Sequence, residues 1–258
     1  MAHGFLIDQD GVIYVENQLI PGADKFIQTL QKENIPFTFM TNNSQRTPLD
    51  SVEKLAGMGI QVEEKNVYTS AMATAHFMSQ QFPKGTAYVL GEGGLLNSLH
   101  EHGFTLAAHN PDFVVVGEGL NFTLEMVRNA IDFILNGAKL IATNLDPSPR
   151  KIGWNNLGIA GIVAMIEAAT GKKAFSVGKP SPVMMRAARK HIGLMTDEVT
   201  VIGDTMATDI QGGVQVGYKT ILTLSGMTKK ETLPDYPFKP DMIIDSLADL
   251  TLPLPWMK

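Results

Sequence analysis

The chain has 258 residues, 44% of them apolar and 18% charged, with a net charge of −5 and no cysteine. That length supports a sizeable core in one large or two smaller domains. The mildly acidic balance argues against a nucleic-acid polymer as partner, for which a basic patch is expected. Without cysteine there is no disulfide, thiol nucleophile or thiolate metal site. The opening "MAHGFLID" lacks the basic region and long apolar core of a signal peptide, and no apolar run approaches the ~20 residues of a membrane span, so the expectation is a cytoplasmic chain with no membrane partner.

Read along the chain, short apolar runs alternate with helical patterns. "GFLID" predicts a strand, and "ADKFIQTLQKE" predicts a helix with Ala23, Phe26, Ile27 and Leu30 on one face. "IPFTFMTNN" predicts a second strand and "LDSVEKLAGMG" a helix closed by glycine. "TAYVLG", "DFVVVG", "KLIATN", "AFSVG", "EVTVIGD", "KTILTL" and "DMIID" are further strands, with Leu124, Val127, Ile131 and Ile134 expected on one face of an intervening helix. Such alternation means an α/β fold with a mostly parallel sheet. There are more strands than one five- or six-stranded sheet needs, and the surplus lies between about Thr86 and Lys173. A core of 1–82 and 176–258 with an inserted α/β domain over 83–175 is therefore expected.

In parallel sheets the site lies beyond the carboxyl ends of the strands. Four strand exits here carry polar residues: Asp8 and Asp10, Thr41 to Asn43, Lys179, and Asp204. Residues i and i+2 of a strand face the same way, so Asp8 and Asp10 are expected at one site. Two carboxylates so close tolerate each other when a cation lies between them or one carries a proton. Asp204 follows another strand, and Asp209 lies one helical turn on. These oxygen donors suit Mg²⁺. Thr41 and the asparagines behind it suit a phosphate oxygen, Lys179 adds a positive charge, and Pro180 is placed to open the next helix. Together the set suits phosphoryl transfer, where positioning and charge neutralisation carry most of the catalysis.

With "DQDG" at Asp8, "TNN" at Thr41, "GKPSP" at Lys179 and "GDTMATD" at Asp204, in that order, the sequence resembles the haloacid dehalogenase (HAD) superfamily of phosphatases, in its NagD-type branch with a large inserted cap. The likeness extends through "YTSAMATA", "NPDFVVVGE" and "IATNLD" over nearly the whole chain. It implies a Rossmann-like core with an α/β cap whose closure excludes bulk water. It also implies that Asp8 attacks phosphorus and that Asp10 serves as acid and then as base. Thr41, Asn42 and Lys179 would bind the phosphoryl oxygens. Asp8, the Asp10 main-chain carbonyl and Asp204 would hold Mg²⁺, with Asp209 behind them. The implied partner is a small phosphorylated metabolite, nucleoside monophosphates first, then sugar phosphates and phosphoglycolate-like acids; the family leaves a homodimer open. Two departures stand out: Gln9 between the aspartates, where relatives are often apolar, and "NNLGIAG" at Asn155 to Gly161 in place of a Pro-Gly-Ala-Gly-Ala stretch.

In the inserted segment, Asp146, Arg150, Lys151 and Trp154 follow a strand end and are candidates for selecting the leaving group. "GEGG" at Gly91 to Gly94 lacks the lysine and hydroxyl of a Walker motif and reads as a strand-to-helix turn. "HEH" at His100 to His102 does not share a helical face, which argues against zinc. The tail "DLTLPLPWMK" reads as a segment packing its tryptophan. The competing functions are a phosphotransferase or phosphomutase using the same aspartyl-phosphate, and a non-catalytic phosphate-ligand binding module.

Overall fold

In a computed structural model of the chain, residues 3–147 and 158–257 are described. The strands are β1 (Gly4–Ile7), β2 (Tyr14–Val15), β3 (Gln18–Leu19), β4 (Phe37–Thr41), β5 (Val67–Thr69), β6 (Thr86–Leu90), β7 (Thr105–Leu106), β8 (Phe113–Val116), β9 (Lys139–Ala142), β10 (Phe175–Ser176), β11 (Val199–Gly203), β12 (Lys219–Thr223) and β13 (Met242–Ile244). The α-helices are α1 (Ala23–Lys32), α2 (Pro48–Gly57), α3 (Ser70–Gln81), α4 (Gly94–Glu101), α5 (Leu124–Leu135), α6 (Gly158–Thr170), α7 (Pro182–His191) and α8 (Gln211–Val216).

The chain divides into two compact units. The first comprises Met1–Thr41, Pro48–Tyr68 and Lys179–Lys258, and the second Asn42–Thr47 and Thr69–Gly178. A six-stranded sheet in the order β13-β12-β11-β1-β4-β5 forms the first unit's frame, with β1 parallel to both β11 and β4. Every residue of β1, β4 and β11 is buried, threonines included, as expected when both faces of a parallel sheet are covered. Helix α1 packs Ala23, Phe26, Ile27 and Leu30 inward, the face expected from the sequence. The tail joins this core: Leu254 is buried, and the Trp256 indole Nε1 donates to Thr200 Oγ1 at 2.9 Å. The tail therefore packs its tryptophan.

The second unit has its own parallel sheet, in the order β10-β9-β8-β6-β7. Its core gathers Leu90, Val114, Val116, Ile134 and Leu140 with Ile159, Ile162 and Ile166 of α6. One expectation fails here. Leu124 is 79% exposed, and the inward face of α5 is Val127, Ala130 and Ile134. Thr123 caps the helix by accepting from Met126 N–H, so Leu124 is the first residue of the helix, one turn before the buried face begins at Val127. A second expectation shifts by two residues. Pro182, not Pro180, opens α7, because the Ser181 hydroxyl caps it by accepting from Val183 N–H. The hairpin of β2 and β3 was not expected, since two residues per strand carry no readable alternation. "GEGG" is the turn between β6 and α4, while His100 lies in the last turn of α4 and His102 caps it, with Nδ1 2.8 Å from Ser98 O.

Candidate active site

The first unit's strand exits bring charge together at the end of the sheet. Asp8 follows β1, and its N–H still donates to Ile202 O at 2.9 Å, so the ladder holds up to the carboxylate. The chain then bends at Gln9, whose carbonyl accepts from Ile13 N–H at 2.8 Å. Asp8 is buried and Asp10 is exposed. Gln9 lies buried between them, with Oε1 accepting from the Tyr14 hydroxyl.

Lys179, 3% exposed, sits between two carboxylates: Nζ is 2.7 Å from Asp8 Oδ1 and 2.8 Å from Asp209 Oδ1. Burial works against its charge, but Asp209 and Asp8 outweigh that and hold the ammonium above the ordinary lysine range. Burial also pushes the Asp8 carboxyl well above its usual range; Lys179 opposes this, and the neighbouring Asp209 and Asp204 add to it. An ionised Asp8 therefore depends on the cations around it. Burial, then the charge of Asp209, raise the Asp204 carboxyl to about 6 against the bonds from Met227 N–H and the Thr205 hydroxyl.

Asp8, Asp204 and Asp209 each offer an oxygen within 4.8 Å of the others, and all three are buried. This is the group of side chains among the described residues that could hold a metal ion, and its donors are all carboxylate oxygens. The carboxylate of Asp10 is not in it; the part expected of Asp10 is its main-chain carbonyl. Asp209 rides on a π-helical turn, Met206–Ile210, a widened turn frequent at functional sites. Its Oδ1 accepts from Lys179 and its Oδ2 from Thr205 N–H and the Thr208 hydroxyl, so both oxygens are already in use.

A loop that the sequence reading missed completes this cluster. After β12, Met227 N–H donates to Asp204 Oδ2 at 2.6 Å and Thr228 N–H to the Asp204 carbonyl at 3.1 Å. The Ser225 hydroxyl donates to Gly11 O at 2.7 Å, tying the same loop to the turn after Asp10. A Cβ at Gly226 would fall 1.9 Å from Asp204 Oδ2, so only glycine lets this loop close on the carboxylate. Its signal in the sequence is a glycine at a fifth strand exit, with no charged residue to mark it.

Thr41 is the buried last residue of β4, in the first unit. Asn42 and Asp146 belong to the second unit, where Asn42 Nδ2 donates to both Asp146 oxygens at 3.1 Å. Arg150, Lys151 and Trp154 lie outside the described residues, as do the first three residues of "NNLGIAG"; the rest, Gly158 to Gly161, open α6.

Comparison with known proteins shows the family. The family model described as haloacid dehalogenase-like hydrolase matches residues 5–105, and the HAD-hydrolase-like model matches 176–250. A dihydroxyacetone phosphatase of Corynebacterium glutamicum is 44% identical over 250 residues, covering 95% of this chain and 90% of that protein. The ribonucleotide monophosphatase NagD of Escherichia coli is 39% identical over 245 residues, covering 95% and 96%. The solved structure of NagD from E. coli K-12 superposes with a TM-score of 0.92 at 37% identity, over 97% of this chain and 99% of that one. The chain belongs to the haloacid dehalogenase-like hydrolases, among the NagD-type phosphatases. It is a hydrolase of phosphoric monoesters, on an α/β fold of parallel sheets. No described helix is long and apolar enough to cross a membrane.

Proposed function

We propose that the chain is a Mg²⁺-dependent phosphatase of small phosphomonoesters working through an aspartyl-phosphate on Asp8. The observation that carries this reading is a buried carboxylate, Asp8, held 2.7 Å from a buried lysine with two further carboxylates alongside. Buried charge of this kind is costly and clusters at functional sites. In the first step an Asp8 oxygen forms a bond to phosphorus as the ester bond to the leaving oxygen breaks, and Asp10 gives that oxygen its proton. In the second, Asp10 takes a proton from water, the water oxygen attacks phosphorus, and the Asp8–phosphorus bond breaks to release phosphate. The exposure of Asp10 suits exchange with leaving group and water. Thr41, Asn42 and Lys179 bind the phosphoryl oxygens.

The donor set fits a hard divalent cation, which takes few protein carboxylates and keeps waters. Asp8, the Asp10 main-chain carbonyl and Asp204 would hold Mg²⁺, with Asp209 orienting Lys179 beside them. The bound ion supplies neutralisation of the phosphoryl charge. We assign catalysis to the expected core, 1–82 and 176–258, and choice of leaving group to the inserted 83–175, with Arg150 and Trp154 on the selecting side.

Nucleoside monophosphates are the leading substrates, supported by the likeness to the ribonucleotide monophosphatase. The 44% identity to a dihydroxyacetone phosphatase favours a second reading, a triose phosphate. Phosphate release should be measured on nucleotides, sugar and triose phosphates, phosphoglycolate and an aryl phosphate, in Mg²⁺ and in EDTA, with Asp8→Asn alongside. The expected result is Mg²⁺-dependent release that falls at least ~10³-fold in the variant, which keeps the shape but loses the nucleophilic oxygen. Activity retained by Asp8→Asn would refute the covalent mechanism. No release from folded protein would turn the reading toward transfer to another acceptor or simple binding.

A further inference from the structure

The chain passes from the first unit to the second between Thr41 and Asn42, inside the "TNN" motif, and returns between Thr47 and Pro48. Asn42 is thus held by the second unit's own residues. Its carbonyl accepts from the Ser70 hydroxyl at 2.6 Å and from Asn144 Nδ2 at 2.8 Å. Its side-chain nitrogen donates to Asp146 Oδ1 and Oδ2, both at 3.1 Å. Asn144 ties the two holds together, since its Oδ1 accepts from Asp146 N–H at 2.9 Å. On the other side, a Cβ at Gly178 would lie 2.7 Å from Asn42 Oδ1.

A carboxylate only accepts, so it selects the NH₂ end of a carboxamide. The carboxamide carries two N–H donors, so one can face Asp146 while the other faces a phosphoryl oxygen. Such a contact is charge-assisted and stronger than one between neutral groups. Charge alone points the other way: a carboxylate next to a group that binds a dianion repels that dianion. Its place there makes sense if its effect runs through Asn42.

We propose that Asp146 is a positioning residue that orients the Asn42 carboxamide for the phosphoryl group, rather than a residue that chooses the leaving group. This rests on the reading of Asn42 as a phosphate ligand. Because the phosphoryl group is common to every substrate, the effect of Asp146 is the same for all of them. It also makes the exit of β9 a support for the phosphate site.

The test uses the full chain, with wild type, Asp146→Ala, Asp146→Asn, Asn42→Ala and the double variant Asn42→Ala/Asp146→Ala, each checked for an unchanged melting temperature. Asp146→Ala should raise KM about tenfold for every ester and raise the inhibition constant of inorganic phosphate by the same factor, with kcat changed less than about twofold. Asp146→Asn, which keeps an acceptor oxygen, should recover part of the loss. Simple charge repulsion requires the opposite sign, a lower KM for Asp146→Asn. In the Asn42→Ala background, Asp146→Ala should add nothing, the mark of two residues acting as one. The side-chain amide resonance of Asn42 in a ¹⁵N spectrum should move in Asp146→Ala, which needs no turnover. A reordered substrate ranking, additive losses, or an unmoved resonance would each overturn the proposal. Wild type that releases no phosphate would instead sink the phosphatase reading, while the resonance would still report on the contact.

Discussion

The two compact units hold their buried polar groups in opposite ways. In the first the cluster is charged, with Lys179 between Asp8 and Asp209 and Asp204 alongside. In the second it is mostly neutral and grips backbone. Ser44 Oγ accepts from Glu118 N–H and from the Thr143 hydroxyl, and Ser70 and Asn144 hold the Asn42 carbonyl. Its carboxylates, Glu118 and Asp146, are only half-buried. Neutral hydrogen bonds each contribute about 1 kcal/mol and place a segment. Buried ions cost more than they return in stability unless every partner is present. The contrast separates a unit whose buried cluster is charged from one whose buried cluster is mostly neutral.

The largest stability effect is expected from removing the central cation. Lys179→Met leaves Asp8 and Asp209 buried without their partner, which should cost roughly 3–5 kcal/mol. The exposed pair of Lys219 and Asp241, 2.7 Å apart, is the control; Lys219→Met should cost less than about 1 kcal/mol. Denaturant unfolding of both variants measures the difference. The Lys179→Met deficit should shrink as pH falls and Asp8, whose carboxyl is raised by burial, takes up a proton. Equal costs for the two lysines would erase the contrast between the units.

A smaller effect follows from Asp204. Its folded carboxyl is raised to about 6, above the 3.8 of an unperturbed aspartate. The native state therefore binds more protons than the unfolded chain between those values, and stability falls as pH rises through that window. In EDTA the protein should be less stable at pH 7 than at pH 5, by ~1 kcal/mol from this group, since pH 5 to 7 spans only the upper part of the window. Mg²⁺ binds the ionised form and should remove most of that loss at pH 7. Melting curves at both pH values with and without Mg²⁺ decide it; no interaction between pH and Mg²⁺ would mean that Asp204 is not a ligand.

The charged unit was also the legible one. Asp8, Lys179 and Asp204 stand out because a charge at the end of an apolar strand needs a reason; Asp8 and Asp204 follow β1 and β11 of the first unit's sheet, and Lys179 follows β10, a strand of the second unit's sheet. The support from the Ser225–Thr228 loop was not legible, because it works through backbone N–H groups that every residue has. The hold on Asn42 was hidden for a related reason. Its partners Ser70, Asn144 and Asp146 lie 28, 102 and 104 residues away, and nothing local in "TNN" announces them. Leu124 misled because helical period alone does not say which turn lies over the sheet.

The smallest expected effect tests the neutral side of the comparison. Ser44 is fully buried, and Ser44→Ala leaves Glu118 N–H and the Thr143 hydroxyl without the acceptor they share. Two neutral donors would lose a partner at a site too tight for easy repair, so a cost of ~1 kcal/mol is expected, independent of pH between 5 and 7. Mg²⁺ should stabilise the variant as much as wild type, because no carboxylate of the metal cluster takes part. A cost that changed with Mg²⁺ would show that Ser44 acts on the charged cluster as well, and the division of labour between the two units would then be wrong at the segment where the chain crosses from one to the other.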